Sequence, residues 1–499
     1  MKWMKKTLFA SLLLFLAAAL LASAADRRGR NCFTVLVGKK ASADGAVLVA
    51  HNEDDYGDIV VNVRKIPPRD FGAPREVSLE KGGVFETGGT SQGFLWIEAA
   101  EQDFADSFIN GSGVVVTSDS CPSRETRPDL TDGGIGYMLR RIVAEQATSA
   151  RDAVRLAGQL IEKFGYQASG RTYSVADRNE AWMIDVIRGR HWFAERVPDD
   201  EVTVVPNNYT IRLIRPGDHD FFMGSPDIVE YARKSGWYDA AKDGPFDFRR
   251  AFDKPTTRDA VSDGNTLRSW RGLVLLSGRG WTLDRDYPFS FKPAKKVTPE
   301  FLMGLLRDHY EGTEYDATDG YKTGTPNNTK FRTICTASTI NSFVASLNAA
   351  LPEPISIMAW LAFGKPDTTA YLPIYYGVES LPAGMGLGPG TLDDEAFTKQ
   401  HFDGAALRAQ RDKLFQTKVL ALQRAADADY GPMIGKIRRE LRPAEKGFVE
   451  SAKGFEAGFL ALYAKDKGGA LKALDDYVSA AFEKVSALYD KLLAKPPRP

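Results

Sequence analysis

The patterning of the chain predicts a layered α+β fold. Short β-branched segments come in blocks, at residues 32–66 and again at 171–205, and helical patterns fall between and after them. The strands are not separated one by one by helices, as a βαβ series requires, so strand layers covered by helix layers are the expected solution. No repeat of fixed period and no glycine-rich phosphate loop interrupts this reading.

Taken in order, Cys32–Val37 alternates and is rich in β-branched residues, and Ala46–Ala50 does the same. Ser42-Ala43-Asp44-Gly45 between them is a turn signal, which predicts a hairpin. Ile59–Ile66 is a third strand and Gly113–Thr117 a fourth. Ile135–Phe164 carries two helical patterns broken at Thr148-Ser149, where Ser149 followed by Asp152 predicts a capped helix start. Strands follow at Arg171–Val175, Ala181–Ile187, His191–Arg196 and Val202–Val205, the last running into Pro206-Asn207-Asn208. Beyond Asp394 the texture changes to long stretches rich in Ala, Leu, Lys and Glu, with helices expected at Ala405–Ala428, Met433–Leu441 and Ala470–Leu493. The Pro/Gly-rich segment Leu381–Gly390 marks the boundary, and Lys495–Pro499 reads as a frayed tail.

The amino terminus is a targeting signal. Lys2, Lys5 and Lys6 precede an apolar run, Leu8–Leu21, and Ala22-Ser23-Ala24 offers a small-x-small cleavage site. The run is shorter than the roughly 20 residues a spanning helix needs, so the expectation is export to the periplasm or beyond, without a stable membrane span. With 65 Lys plus Arg against 65 Asp plus Glu, no net field attracts nucleic acid, and none is expected as a partner. A homo-oligomer stays open. Three cysteines, Cys32, Cys121 and Cys335, leave at least one thiol unpaired in an oxidising compartment. A Cys121–Cys335 bond and three reduced thiols both remain open.

Few residues are placed for chemistry. The five histidines show no metal-ligand spacing, and Asp218-His219-Asp220 and Asp308-His309-Tyr310-Glu311 cannot each turn all their donors to one ion from a single strand or helix. No metal or cofactor is expected. No G-x-S-x-G elbow is present. What remains is Cys32, at a strand start behind a removable leader. A cysteine at a chain's first position carries its own base, because a terminal α-amine titrates near 7.7–8.0 and can take the thiol proton.

Those residues carry a resemblance. Cys32-Phe-Thr-Val-Leu-Val-Gly-Lys-Lys-Ala-Ser-Ala-Asp-Gly45 and then Ala50-His-Asn-Glu-Asp54 resemble the start of the cysteine dipeptidases, the dipeptidase A-like family related to secernins, in the N-terminal-nucleophile hydrolase superfamily. Asn110-Gly-Ser-Gly-Val114, Pro206-Asn-Asn-Tyr209, Asn265-Thr-Leu-Arg-Ser-Trp-Arg271, Phe289-Ser-Phe-Lys-Pro293, Leu306-Arg-Asp-His-Tyr-Glu-Gly312 and Arg332-Thr-Ile-Cys-Thr336 resemble further blocks, in order. Met358-Ala-Trp360 and Tyr371-Leu-Pro-Ile-Tyr375 extend the likeness over nearly all the chain after the leader.

The resemblance implies an αββα sandwich of two antiparallel sheets with a helical C-terminal region. Together with the targeting signal and the Pro/Gly-rich boundary, this divides the chain into an expected signal peptide over 1–24, a short propeptide over 25–31, a catalytic domain over 32–390 and a helical region over 391–499. The resemblance implies cleavage at Asn31-Cys32, Cys32 as nucleophile through a thioester, Asp54 beside its amine and thiol, and Asn207, with Asn208 adjacent, in an oxyanion hole. An arginine of the site is implied at Arg268 or Arg271, and Arg271 is favoured because a guanidinium fork suits the free carboxylate of a dipeptide. Related acylases carry an arginine near the acidic motif where this chain has Ala50-His51. His51 is therefore open between a hydrogen-bonding role toward the thiolate or substrate carboxylate and simple strand packing. The expected substrate is a small peptide. A linear-amide acylase of the penicillin V acylase or bile salt hydrolase type and a non-catalytic exported binding protein are the alternatives.

Overall fold

The computed structural model describes residues 32–55, 59–327, 331–388, 390 and 394–494; the expected signal peptide and propeptide, residues 1–31, and the expected tail, residues 495–499, lie outside the described residues. Two antiparallel sheets face each other. In the first, Phe33–Val37 lies between Val202–Val205 and Val47–Asp54, followed by Thr339–Leu347, Ile357–Phe363 and Leu372–Tyr375. In the second, the order is Phe222–Gly224, Trp192–Arg196, Ala181–Gly189, Tyr166–Ala176, Val115–Ser120, Ser107–Asn110, Phe94–Ala99 and Val61–Ile66. The expected hairpin is present, pairing Thr34 with His51 and Val35 with Ala50. Its turn needs Gly45, whose φ of 81° is costly for any side chain, and Asp44 closes it by accepting from the Ala46 amide at 3.2 Å. The third expected strand forms, but in the opposite sheet, where Val61 pairs with Ala99.

The central strands are buried on both faces, against the facing sheet and against the helices behind, so Val35, Leu36, Val49 and Ala50 all belong to one core that also includes Val115 and Met183 of the facing sheet. Helices Tyr137–Gln146 and Ala150–Phe164 cover the outer face of the eight-stranded sheet, burying Leu139, Ile142, Val154 and Leu160 on Trp96 and Trp182. Their junction is as patterned: Ser149 Oγ accepts from the Asp152 amide at 3.1 Å. On the other side, helix Pro299–Leu306 packs on strands Val47–Asp54 and Thr339–Leu347, and helices Tyr430–Tyr463 and Lys467–Leu493 pack on strand Leu372–Tyr375. The layers therefore run α, β, β, α. No helix among the described residues is long and apolar enough to cross a membrane.

The C-terminal helices differ from expectation in their bounds. Ala405–Ala428 divides into Gly404–Arg408, a short 3-10 turn at Arg411–Lys413, and Phe415–Ala428, because Leu414 stays extended to bury with Leu407, Val60 and Ala100. Packing there overrides helix propensity. Conversely, the helix expected to end at Leu441 runs from Tyr430 to Tyr463 through Pro443, with Ile437, Leu441, Ala444 and Phe448 buried as one stripe. Burial of that stripe outweighs the ladder bond a proline removes. Phe415, Val419, Leu422 and Tyr489 belong to the same core as the six-stranded sheet.

Candidate active site

Cys32 opens the strand Phe33–Val37, and its side chain is buried with 2% exposure. Its thiol donates to Glu53 Oε1 at 2.9 Å. Glu53 Oε2 lies 3.1 Å from His51 Nε2, and His51 Nδ1 lies 2.8 Å from the Thr34 hydroxyl. Thr34 in turn donates across the sandwich to Asp119 Oδ2 at 2.6 Å. Residues 51 and 53 share a strand face because side chains alternate, and Thr34 stands opposite His51 in the ladder.

The protons of this chain can be counted. Burial lowers His51 to about 4, so the imidazole is neutral and carries one N–H. When Glu53 is ionised, His51 Nε2 donates to it, Nδ1 accepts from Thr34, and a protonated Asp119 donates to Thr34. When Glu53 holds the proton on Oε2, it donates to His51 Nε2, Nδ1 donates to Thr34, Thr34 donates to an ionised Asp119, and the Cys32 thiol still donates to Glu53 Oε1. Either way one proton is shared between two buried carboxyls. Burial raises both, Glu53 to about 7 and Asp119 to about 6.

The carbonyl side of Cys32 is held by Arg268, on helix Gly264–Ser277. Its Nη1 donates to the Cys32 oxygen at 2.8 Å, and its Nη2 to the Pro206 oxygen at 2.7 Å and to Asn207 Oδ1 at 2.9 Å. Asn207 follows strand Val202–Val205 in a left-handed conformation, φ 79°, where asparagine is one of the few tolerated side chains. With Oδ1 on Arg268 and its backbone oxygen on Asn265 Nδ2 at 3.0 Å, the buried Nδ2 of Asn207 has no hydrogen-bond partner. Such a group is costly unless a ligand uses it. Asp54 accepts from Arg332 Nη2 at 2.8 Å and Thr339 Oγ1 at 2.6 Å. Burial, then the charges of Glu53, Asp119 and Asp54, push the Cys32 thiol well above its ordinary value. In this arrangement the thiol is neutral.

Cys32, His51, Asp54, Asn207 and Arg268 thus converge on one place. Arg271 is turned elsewhere, locked on Asp308 by two hydrogen bonds of 2.8 and 2.6 Å and on the Glu311 oxygen at 3.1 Å. Asn208, with its amide oriented to satisfy its surroundings, gives its oxygen to Arg249. All three cysteines are free and buried. Glu53, Thr34, Asp119 and Arg332 were not singled out in the sequence. The period of two from His51 points to Glu53; Arg332 stands in the motif Arg332–Thr336 but nothing local ties it to Asp54, and no local pattern reaches Asp119.

The sequence pattern of Peptidase family C69 matches residues 114–415, well over half of the chain. The chain belongs to peptidase family C69. It is a peptidase, and the family is the one its ordered motifs resemble. The C69 match takes in Asn207, Arg268 and Arg332, whereas Cys32, His51, Glu53 and Asp54 precede it. Among curated relatives, a probable dipeptidase of Salmonella dublin is 27% identical over 72% of this chain and 84% of its own. Dipeptidase A of Lactobacillus helveticus is 27% identical over 70% and 76%, and the dipeptidase of Bifidobacterium longum (strain NCC 2705) 28% over 70% and 72%. Penicillin V acylase from Agrobacterium tumefaciens aligns in structure at 12% identity over 69% of this chain and 86% of that one, with a TM-score of 0.33.

Proposed function

We propose that this C69 peptidase is an exported dipeptidase whose nucleophile is Cys32, freed as an amino terminus when the segment ending at Asn31 is cut away. The reading rests above all on one guanidinium. Arg268 ties the Cys32 carbonyl to the Asn207 amide oxygen, which leaves the buried Asn207 Nδ2 as an unused donor beside the thiol's residue. The dipeptidase names of the relatives support the substrate class, and the leader supports export.

The chemistry follows from charge. Before cleavage, carboxylates surround a neutral thiol. Cutting at Asn31-Cys32 creates an amine whose lone pair takes the thiol proton, and the ammonium so formed stabilises the thiolate against Asp54, Glu53 and Asp119. Sγ adds to the peptide carbonyl, and the developing oxyanion is stabilised by Asn207 Nδ2–H. The ammonium then gives its proton to the departing amine as the C–N bond breaks, which leaves a thioester on Sγ. Water, deprotonated by the same α-amine, adds to the thioester; collapse expels Sγ, which is reprotonated. Asp54, fixed by Arg332 and Thr339, holds the ammonium, and Arg268 holds Cys32 and Asn207 in register.

The test is turnover by the processed protein against a dipeptide panel and a set of N-acyl amino acids, with the mass of the mature chain measured beside it. Dipeptide cleavage by a chain beginning at Cys32 is expected. Cleavage of N-acyl amino acids alone would replace the dipeptidase by an acylase. An active mature chain beginning at Ala25 or Asp26 would remove the α-amine mechanism.

A further inference from the structure

A second thiol, imidazole and carboxylate meet far from any local motif. His309 follows helix Pro299–Leu306, Cys335 precedes strand Thr339–Leu347, and Asp367 lies in the turn after strand Ile357–Phe363. One ligand atom of each lies within 4.8 Å of the others, and all three residues are buried. Exposure is 2% for His309, 0% for Cys335 and 1% for Asp367. Two of these polar atoms are orphans: His309 Nε2 and Asp367 Oδ1 have no hydrogen-bond partner. Buried polar atoms are rarely left so.

We propose that His309, Cys335 and Asp367 form a buried site for one divalent zinc-type cation that clamps the loop carrying Arg332. The surroundings orient two of the donors. His309 Nδ1 faces the Tyr321 hydroxyl at 3.4 Å and Glu311 Oε1 at 3.5 Å, and Tyr321 itself donates to Glu311. Occupied there, the ring turns its Nε2 lone pair to the cluster, in the arrangement by which a carboxylate orients a metal-binding histidine. Nε2 stands 3.8 Å from Asp367 Oδ2. Tyr430 donates to that Oδ2, which leaves Oδ1 as the ligand oxygen.

Asp367 is 1% exposed and holds Tyr430 on Oδ2, so Oδ1 is a buried oxygen without a partner. Lys365 is itself neutralised by Asp427 at 2.6 Å, and Arg442 spends its donors on the carbonyls of residues 366, 367 and 369. A dication with one thiolate and one carboxylate leaves no net charge in this dry place. The S, N, O donor set selects zinc over magnesium or calcium, which require oxygen. Tetrahedral zinc bonds of about 2.0–2.3 Å place ligand atoms roughly 3.3–3.8 Å apart, so side-chain rotations that draw the trio in by about 1 Å supply three of the four positions, with a water molecule as the fourth ligand.

Its position gives the ion a task. Three residues before Cys335, Arg332 holds Asp54, and the Ile334 carbonyl accepts from Asn52 Nδ2 at 3.0 Å. Beside His309, Asp308 holds Arg271. A cation here would tie the site's supporting loops to the C-terminal helix that carries Tyr430.

The full processed protein and its Cys32→Ala variant would be loaded with Zn²⁺, cleared of excess by gel filtration and analysed for metal by mass spectrometry. About one zinc per chain is expected in both, falling at least tenfold in Cys335→Ser and in Asp367→Asn. Replacement of zinc by Co²⁺ in Cys32→Ala should give a thiolate-to-cobalt charge-transfer band. That band needs no folded Cys335 variant to be decisive. Metal that disappears with Cys32 instead of Cys335 overturns the proposal, as does a metal-free protein or a cobalt spectrum without the band. The readout is metal content, so it stands or falls separately from the dipeptidase reading.

Discussion

The protein contains the same three functional groups twice. Around Cys32, thiol, imidazole and carboxylate are saturated: the thiol is on Glu53, and both nitrogens of His51 are engaged, by Glu53 and by Thr34. Around Cys335, the imidazole Nε2 and one carboxylate oxygen have nothing to bond. The composition is equal and the wiring is not. A saturated chain that shares one proton between its two end carboxyls can pass it along its length, whereas an unsaturated trio presents lone pairs that await a cation. Residue types alone would have assigned both trios the same role.

The largest effect should separate the two thiols. Cys32→Ala should lower kcat/KM for a dipeptide by at least about 10³-fold, while Cys335→Ala should lose far less, in proportion to its loss of folded protein. Comparable losses at correctly folded proteins would erase the distinction. Next comes the orphan donor beside Cys32. Asn207→Ala should lower kcat about 10²–10³-fold with little change in KM, because Nδ2 is used only as the oxyanion develops. A change confined to KM would make Asn207 a substrate-binding residue.

Smaller effects sharpen the account of the proton chain. The folded value of Glu53, about 7, lies above its ordinary 4.5, so its contribution to stability is intact below about 4.5 and is lost as pH rises through about 7. Glu53→Gln, which cannot ionise, should therefore unfold at higher urea than the native chain at pH 8, by roughly 1–3 kcal/mol, with the difference vanishing near pH 4. An equal difference at both pH values would remove ionisation as the cause. Thr34→Val cuts the link between His51 and Asp119 while keeping side-chain volume. It should lower turnover about tenfold and shift the acidic limb of the pH–rate profile, whereas a purely structural threonine would leave the limb in place.

Much of the frame was legible in the chain itself. The strand Val202–Val205 coincides with its pattern, and Ser149 caps where the Ser-x-x-Asp spacing placed it. Alternation and caps are local, so sequence displays them. Cys32 was visible at the head of a recognisable strand, while Asp54 and Asn207 were candidates through the family resemblance of the motifs that hold them. Less legible were contacts between sheets. Thr34 meets Asp119 across 85 positions of sequence and Asp54 meets Arg332 across 278. Between Arg268 and Arg271, one helical turn apart, the sequence favoured Arg271, but it is the Arg268 guanidinium that reaches Cys32 while Arg271 is held by Asp308.

By itself, then, the sequence determined the family that its ordered motifs resemble, which cysteine stands at the head of a strand, and most of the strands and helices, though not the bounds of the C-terminal helices. These depend on side-chain period and on short ordered motifs. Only the tertiary structure decided which polar groups meet, because that depends on which sheet faces which and on what each buried donor has left to bond. By that criterion Cys32 heads a closed hydrogen-bond chain, while Cys335 stands in an open triad.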